Sequence, residues 1–382
     1  LTGTPVGRMV RITDFGDDGI WGDAGDDRIE AGAGVDLVNG GAGDDIITDC
    51  GDSGDFLKGE DGNDVIAKSN GIDILMGGRG KDAIFVGVDA TEVFAGEGDD
   101  FILGGDGADF LMGNEGDDWI EAGGGFDTTA GDNSELFFNS AIKGHDVMFA
   151  GSDEHDFDAE SGDDIMVQGE SVIRNEGMFG FDWAIYKGVQ IAANADMRIP
   201  IFTTEEADIL RNRFDKTEGL SGWRLNDTLI GDDRTAPTNA DPEEAAGAPV
   251  TAANEGVFFN DGLDAAGIAR IAGLEQIVSL APGQQFFEAG NILLGGGGSG
   301  ARQGNGGNDT RDGDRCLNVR ISIRDPANAG QEMATVDSLK HVFDNSASNQ
   351  ARGWAGKSLF ELMIDRVISP TQLNIVREVI TT

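Results

Sequence analysis

A nine-residue period limits what this chain can fold into more than any other feature, because a repeat at a fixed spacing dictates the architecture of everything built from it. Aligning the aspartate that follows each glycine turn places Asp18, Asp27, Asp36 and Asp45 nine residues apart. After one extra residue the column continues through Asp55, Asp64, Asp73, Asp82, Thr91, Asp100, Asp109, Asp118 and Asp127. Two positions after each stands a second column: Ile20, Ile29, Val38, Ile47, Leu57, Ile66, Leu75, Ile84, Val93, Ile102, Leu111, Ile120 and Thr129. Only the last is polar. Two columns in register over more than a hundred residues exclude an acidic linker, in which apolar residues would drift in phase.

Each nonamer reads as a six-residue glycine turn followed by a three-residue strand whose middle residue points inward. One buried aliphatic side chain contributes only about 1.5 to 3 kcal/mol, against an ordering cost of roughly 1 to 2 kcal/mol for each of nine residues. Another source of binding energy is required, and a metal ion supplies it. Glycine turns let backbone carbonyls converge on one centre, and aspartate adds a short, hard oxygen ligand. Calcium accepts six to eight oxygens in irregular geometry, whereas magnesium demands a tight octahedron and zinc prefers the histidine and cysteine that are scarce here. If successive nonamers lie on opposite edges of a coil, two make one turn of 18 residues. One edge then carries Asp27, Asp45, Asp64, Asp82, Asp100 and Asp118, and the other carries Asp18, Asp36, Asp55, Asp73, Asp109 and Asp127 with a gap at Thr91. A weaker or missing ion is expected at that gap, with Asp89 as a neighbouring carboxylate two residues away.

Composition agrees with a cation partner. Lys and Arg total 27 against 70 Asp and Glu, a net charge of -43, which argues against nucleic acid or an anionic membrane surface. The two cysteines, Cys50 and Cys316, lie far apart and offer no disulfide framework. No run of 18 apolar residues predicts a membrane span, and LTGTPVGRMV lacks the apolar segment of a signal peptide. The absence of an initial Met suggests a fragment of a longer protein.

The segments GGAGDDIIT (40 to 48), GGRGKDAIF (77 to 85), AGEGDDFIL (95 to 103) and GGDGADFLM (104 to 112) resemble the repeats-in-toxin (RTX), or hemolysin-type, calcium-binding nonapeptide. The resemblance implies an all-β fold, a parallel β-roll (β-solenoid), with several Ca2+ ions held between consecutive turns by the aspartate at the sixth repeat position and by carbonyls of the preceding loop. It also implies a secreted, extracellular bacterial protein exported unfolded by type I secretion and folding outside. Segments such as DFGDDGIWGDAGDDRIEAG, MGNEGDDWIEAG, ESGDDIMVQGESVIRNEGMFGFDW and LSGWRLNDTLIGDD are similar to the calcium-binding region attached to bacterial animal-type heme peroxidases. That similarity places a heme peroxidase domain elsewhere in the parent chain.

Four regions are expected: a lead-in over 1–13, the nonapeptide β-roll over 14–170, an irregular capping region with isolated rung-like repeats over 171–315, and C-terminal strand and helices over 316–382. GHDVMF and ESGDDIMVQG extend the array with Asp146 and Asp164 as ligands. FDWAIYKG and VQIAANADM alternate as strands of a sheet closing the roll. FTTEEADILRNRF (202 to 214) predicts a helix capped by Thr203 and Glu206, with Ile209, Leu210 and Phe214 on one face. WRLNDTLIGDD resembles a single rung with Asn226 and Asp227 before Leu229, and TAPTNADPEEAAGAPV reads as a loop. In GNILLGGGGSGARQGNGGNDTRDGDR the pattern erodes: Gly300 stands in the ligand place, Arg302 and Arg311 take inward positions, and Asp309 alone keeps its place as a ligand, so no regular calcium site is expected between 295 and 303. LNVRISIR reads as a strand, SPTQLNIVREVI as a helix start, and AGKSLF as a turn entering a helix.

No zinc-protease HExxH and no GxSxG elbow is present, and GGGGSG lacks the strand-to-helix context of a dinucleotide site. The chain therefore reads as a calcium-binding module without a catalytic motif of its own. Two other roles stay open, a part of a heme peroxidase that contributes to catalysis and an adhesive or matrix stalk that meets cell-surface components.

Overall fold

The computed structural model describes residues 9–11, 16–132, 144–233, 262–287 and 290–382. The chain forms two compact units, Leu1–Asp127 with Arg320–Val376, and Thr128–Val319 with Arg377–Thr382.

In the first unit successive strands fall alternately into two parallel stacks. One holds Arg28–Glu30, Ile46–Thr48, Val65–Ser69, Ala83–Val86, Phe101–Leu103 and Trp119–Glu121. The other holds Gly19–Trp21, Leu37–Ala42, Phe56–Asp61, Asp73–Arg79, Thr91–Glu97 and Phe110–Glu115. Stacked partners are 18 residues apart, as in Val93 with Leu111, and 19 apart across the inserted residue, as in Ile47 with Ile66. The strand-centre column from Ile20 to Ile120 is fully buried, so the coil wraps one line of aliphatic side chains. The second stack departs from the expected three-residue strand: segments such as DILMGGR run as seven-residue strands through the glycine pair.

Glycine is obligatory where turns stack. A Cβ at Gly98 would lie 1.6 Å from the Gly80 carbonyl oxygen, and at Gly80 1.7 Å from that of Gly62, both at positive φ.

The two stacks differ on their outer faces. Strands of the longer set alternate, with one face buried, whereas Ile46, Val65, Ala83, Phe101 and Trp119 of the shorter set are buried as well. The C-terminal part of the same unit covers them. Phe360 meets Phe85 edge-on at 5.0 Å between centroids, Arg28 Nη1 donates to the Ile364 carbonyl (2.7 Å), and Arg366 Nη2 donates to that of Asp27 (2.9 Å). Buried Glu121 accepts from Trp119 Nε1 (2.8 Å), Ser338 Oγ (2.6 Å) and Leu339 N (2.6 Å), pinning this segment to the last rung of the unit.

In the C-terminal part, LNVRISIR lies in the strand Arg315–Asp325, which pairs antiparallel with Asn328–Val336. AGKSLF does enter a helix, Leu359–Ile364, through a capping box of Ser358 and Glu361. The expected helix at SPTQLNIVREVI is instead one 3₁₀ turn, Pro370–Gln372, followed by the strand Leu373–Thr381. The Ser-Pro start is real, but Ile375, Val376, Val379 and Ile380 are β-formers and the extended ladder wins.

The second unit is also a parallel solenoid, with loops inserted between rungs. Val147–Phe149, Ile165–Val167, Trp183–Ile185, Gly219–Ser221, Ile292–Leu294 and Thr310–Asp312 pair in that order. FDWAIYKG thus supplies a rung rather than a closing sheet, and in VQIAANADM only Asn194–Asp196 is a strand, paired with Thr228–Ile230. The helix expected over 202–214 shrinks to Glu206–Ile209, capped without a side-chain hydrogen bond, with Ile209 and Leu210 exposed. Phe214 is drawn out of it into the strand Arg213–Asp215, where it aligns with Asn175 as a buried rung residue.

The loop at 235–250 lies outside the described residues, as does the lead-in apart from Met9–Arg11, which pairs with Arg28–Glu30. Neither Cys50 nor Cys316 is in a disulfide. Among the described residues no helix is long and apolar enough to cross a membrane.

Candidate metal centre

The aspartates stack into hydrogen-bonded columns because each follows a glycine turn and precedes a strand. In the first column the backbone N–H of one aspartate donates to Oδ1 of the aspartate one turn on: Asp27 to Asp45, Asp45 to Asp64, Asp64 to Asp82 and Asp82 to Asp100, each 2.7 Å, then Asp100 to Asp118 at 2.6 Å. The second column links Asp18 to Asp36 (2.9 Å), Asp36 to Asp55 and Asp55 to Asp73 (both 2.7 Å), Thr91 to Asp109 (2.9 Å) and Asp109 to Asp127 (2.9 Å). The edges inferred from the 18-residue turn are those the chain forms.

One oxygen of each carboxylate is thereby used. The other, Oδ2 of Asp45, Asp55, Asp64, Asp82 and Asp100, is buried and accepts no hydrogen bond. For Asp45, Asp64 and Asp82 it faces the first glycine of its own repeat and a carbonyl of the next turn. A Cβ built on Gly59 would lie 2.2 Å from Asp64 Oδ2 and 2.5 Å from the Gly77 carbonyl oxygen. On Gly77 it would lie 2.4 Å from Asp82 Oδ2 and 2.3 Å from the Ala95 carbonyl oxygen. Carboxylate and carbonyl oxygens thus meet around a cradle that any side chain would fill, a hard, all-oxygen donor set that suits calcium.

The electrostatics require a counter-charge. Burial pushes the Asp64 carboxyl up to about 9, with the Asp82 charge adding to it, and burial with Asp100 beside it pushes Asp82 up to about 8. Burial likewise raises Asp45, Asp55 and Asp100 to about 7. A dication placed among these groups would reverse the direction of those shifts. Among the described residues no three His, Cys, Asp or Glu side chains form a metal cluster, in keeping with sites that share their donors between carboxylate and backbone.

Residues 12–47, 51–67, 69–90 and 94–129 match the RTX calcium-binding nonapeptide repeat model in four copies. These residues carry RTX calcium-binding nonapeptide repeats. No curated protein and no solved structure matches it.

Outside the residues of the RTX match, the second unit has a carboxylate chain of the same kind. Asp146 N donates to Asp164 Oδ1 (2.6 Å), Asp164 N to Asp182 Oδ1 (2.9 Å), and Asp182 N to Glu218 Oε2 (2.7 Å). Strand register then aligns Glu218 with Asn291 and Asn291 with Asp309, and Asn291 N donates to Asp309 Oδ1 (3.0 Å). Asp164 and Asp182 are raised well above the usual carboxylate range by burial, and their Oδ2 atoms accept nothing. Asp182, Glu218 and Asn291 are absent from the residues expected on sequence. Their signal is a buried aliphatic or alanine two positions on, Ala184, Leu220 and Leu293, once loops of irregular length are allowed between rungs.

Other positions depart from the RTX pattern. At the gap, Thr91 occupies the ligand place in register with Asp73, and Asp89 does not replace it: its carboxylate accepts from Gly71 N (3.2 Å) on the loop surface. Asp109, the partner across that gap, has both oxygens engaged, by Thr91 N (2.9 Å) and Gly105 N (2.9 Å). Asp227 is closed in the same way by Ala193 N (2.8 Å) and Trp223 N (2.9 Å). In the eroded rung Asp227 aligns with Gly300 and Leu229 with Arg302. A Cβ on Gly295, the equivalent of Gly59, would meet not a carboxylate but Arg302 Nη1, at 2.0 Å. The guanidinium stands where the other rungs present their aspartate.

Proposed function

We propose that this chain is a module that folds when its carboxylate columns bind calcium outside the cell, serving the export, stability and presentation of a larger protein. The observation that carries the reading is the orphaned buried Oδ2 of Asp45, Asp64, Asp82 and Asp100, the first three each beside a glycine cradle. We assign these four as the principal ligands, followed by Asp27, Asp118, the second-edge residues Asp18, Asp36, Asp55, Asp73 and Asp127, and then Asp146, Asp164 and Asp182. Asp109 and Asp227 rank last, because their oxygens already serve backbone N–H groups.

Calcium, when bound, supplies the positive charge that the buried carboxylates lack. The chain's own part is to fix each aspartate through its neighbour's N–H, to keep the cradle open with glycine, and to exclude water with the aliphatic column. In calcium-poor cytosol the ionised acids repel and oppose compaction; sites of the roughly 10⁻⁴ to 10⁻³ M class fill in an extracellular medium. Such a difference suits a protein exported unfolded. The proposed link to a heme peroxidase parent rests on the sequence similarity described above.

Limited proteolysis tests the reading. The full chain should be digested rapidly in excess chelator at neutral pH and resist digestion in millimolar calcium. Equal resistance in both would overturn it.

A further inference from the structure

The loops inserted among the second unit's rungs hold large apolar side chains outside the core. Ile191 lies between the strands Trp183–Ile185 and Asn194–Asp196, and Leu210 between Asn194–Asp196 and Arg213–Asp215. They are 57% and 77% exposed, in a chain whose net charge is -43. Both line a cavity of about 290 Å³, with Val172, Val189, Tyr186 and Arg211 also in its wall. That volume stands at the small end of ligand pockets, which begin at about 300 Å³.

Tyr186 is only 6% exposed, and its hydroxyl accepts from Asn212 Nδ2 (3.1 Å). The hydroxyl's own proton has no acceptor among the described residues. Burial raises this group above the usual tyrosine range, so it stays a donor. A buried O–H without an acceptor carries a desolvation penalty, which an oxygen held in the cavity would relieve. Arg211 is the cation in the wall. Its guanidinium reaches Asp208 Oδ1 at 3.6 Å and the Asn194 carbonyl at 3.5 Å, both long contacts. Asp208 beside it and Glu170 in the wall oppose a full negative charge, so the favoured occupant is an acceptor without net charge.

The geometry points to a binding site for a small neutral carbonyl compound, an amide or ester on a short aliphatic chain, with the Tyr186 hydroxyl donating to the carbonyl oxygen. The chain lies against Val172, Val189, Ile191 and Leu210, and its burial covers apolar surface that now meets water. None of these residues is a proposed calcium ligand, so the inference stands apart from that reading.

Ligand-observed NMR of the full chain in saturating calcium tests it, with hexanamide as probe, hexanoate and hexylamine as comparisons, and far-UV circular dichroism as the folding check. Hexanamide should bind saturably in the roughly millimolar range of so small a ligand, and protonated hexylamine, which offers no acceptor, should not. Tyr186→Phe removes the donor and keeps the ring; it should weaken hexanamide about two- to tenfold with the β signal unchanged. Unchanged affinity in Tyr186→Phe, equal binding of hexylamine, or no saturable binding overturns the site. Tighter binding of hexanoate than of hexanamide overturns the neutral ligand class. Should Tyr186→Phe fail to fold, Leu210→Asp at the exposed edge of the cavity should abolish binding; a Leu210→Asp variant that binds as the native chain does overturns the inference.

Discussion

Asp64→Asn separates a calcium ligand from an ordinary core residue, because it should act with opposite signs in chelator and in calcium. Asn keeps an oxygen for the Asp45 N–H, which the aspartate accepts at 2.7 Å, and turns an NH2 group toward the side where the Gly77 carbonyl lies. It removes a fully buried carboxyl that burial raises from 3.8 to about 9. Holding that group protonated at pH 7 against an ordinary value of 3.8 costs the metal-free fold up to about 4 kcal/mol. Metal-free Asp64→Asn should therefore be more stable than the native chain by a large part of that amount, read as a stronger far-UV β signal in excess chelator at pH 7. In calcium the same variant has one charged donor fewer, and its folding midpoint should move to severalfold higher calcium. A variant less stable in both media, or one with an unchanged calcium midpoint, would refute the argument that Asp64 is buried for the sake of a cation.

Three further outcomes follow from the same geometry. Gly77→Ala puts a methyl group 2.3 Å from the Ala95 carbonyl oxygen and 2.4 Å from Asp82 Oδ2, so it should cost about 1 to 3 kcal/mol in calcium by urea unfolding, while Gly16→Ala, with nothing within 4 Å, should cost little. Without calcium, stability should fall as pH rises: the folded-state values of Asp45, Asp64 and Asp82 lie above the unfolded value of 3.8, so the contribution is fully present below about pH 4 and is lost as pH climbs through about 7 to 9. A chelated sample with more β signal at pH 8 than at pH 5 would contradict that sign. Arg302→Leu should leave the number of bound calcium ions unchanged, because the guanidinium already occupies the cradle at Gly295; loss of an ion by calorimetry would refute it.

The repeating part of the fold was legible because every turn restates it. Position and register of the Ile20-to-Ile120 column, the two aspartate edges and the 19-residue step at the insertion all follow from spacing. What spacing does not carry is context supplied by another segment. The sequence shows aliphatic residues at Ile46 and Val65 but not that the C-terminal segment buries them, since that segment repeats nothing. Asp182, Glu218 and Asn291 belong to one column by strand register, yet they stand 36 and 73 residues apart, beyond any fixed-period alignment. Local rules also lost to tertiary pairing: Ser369-Pro370 does begin a helical turn, but the residues after Gln372 are extended, and Phe214 leaves its helical face to fill a rung. Within the site, the eroded rung was recognisable from Gly300, whereas the closure of Asp109 and Asp227 by backbone N–H groups required the loop geometry.

The most direct test of the claim that a dication holds the carboxylate columns together is far-UV circular dichroism of the full chain during a calcium titration at neutral pH, with magnesium as control. The account predicts a weak β signal in excess chelator, a cooperative rise at roughly 10⁻⁴ to 10⁻³ M calcium, and little response to magnesium. A full β signal that persists in excess chelator at neutral pH would contradict it.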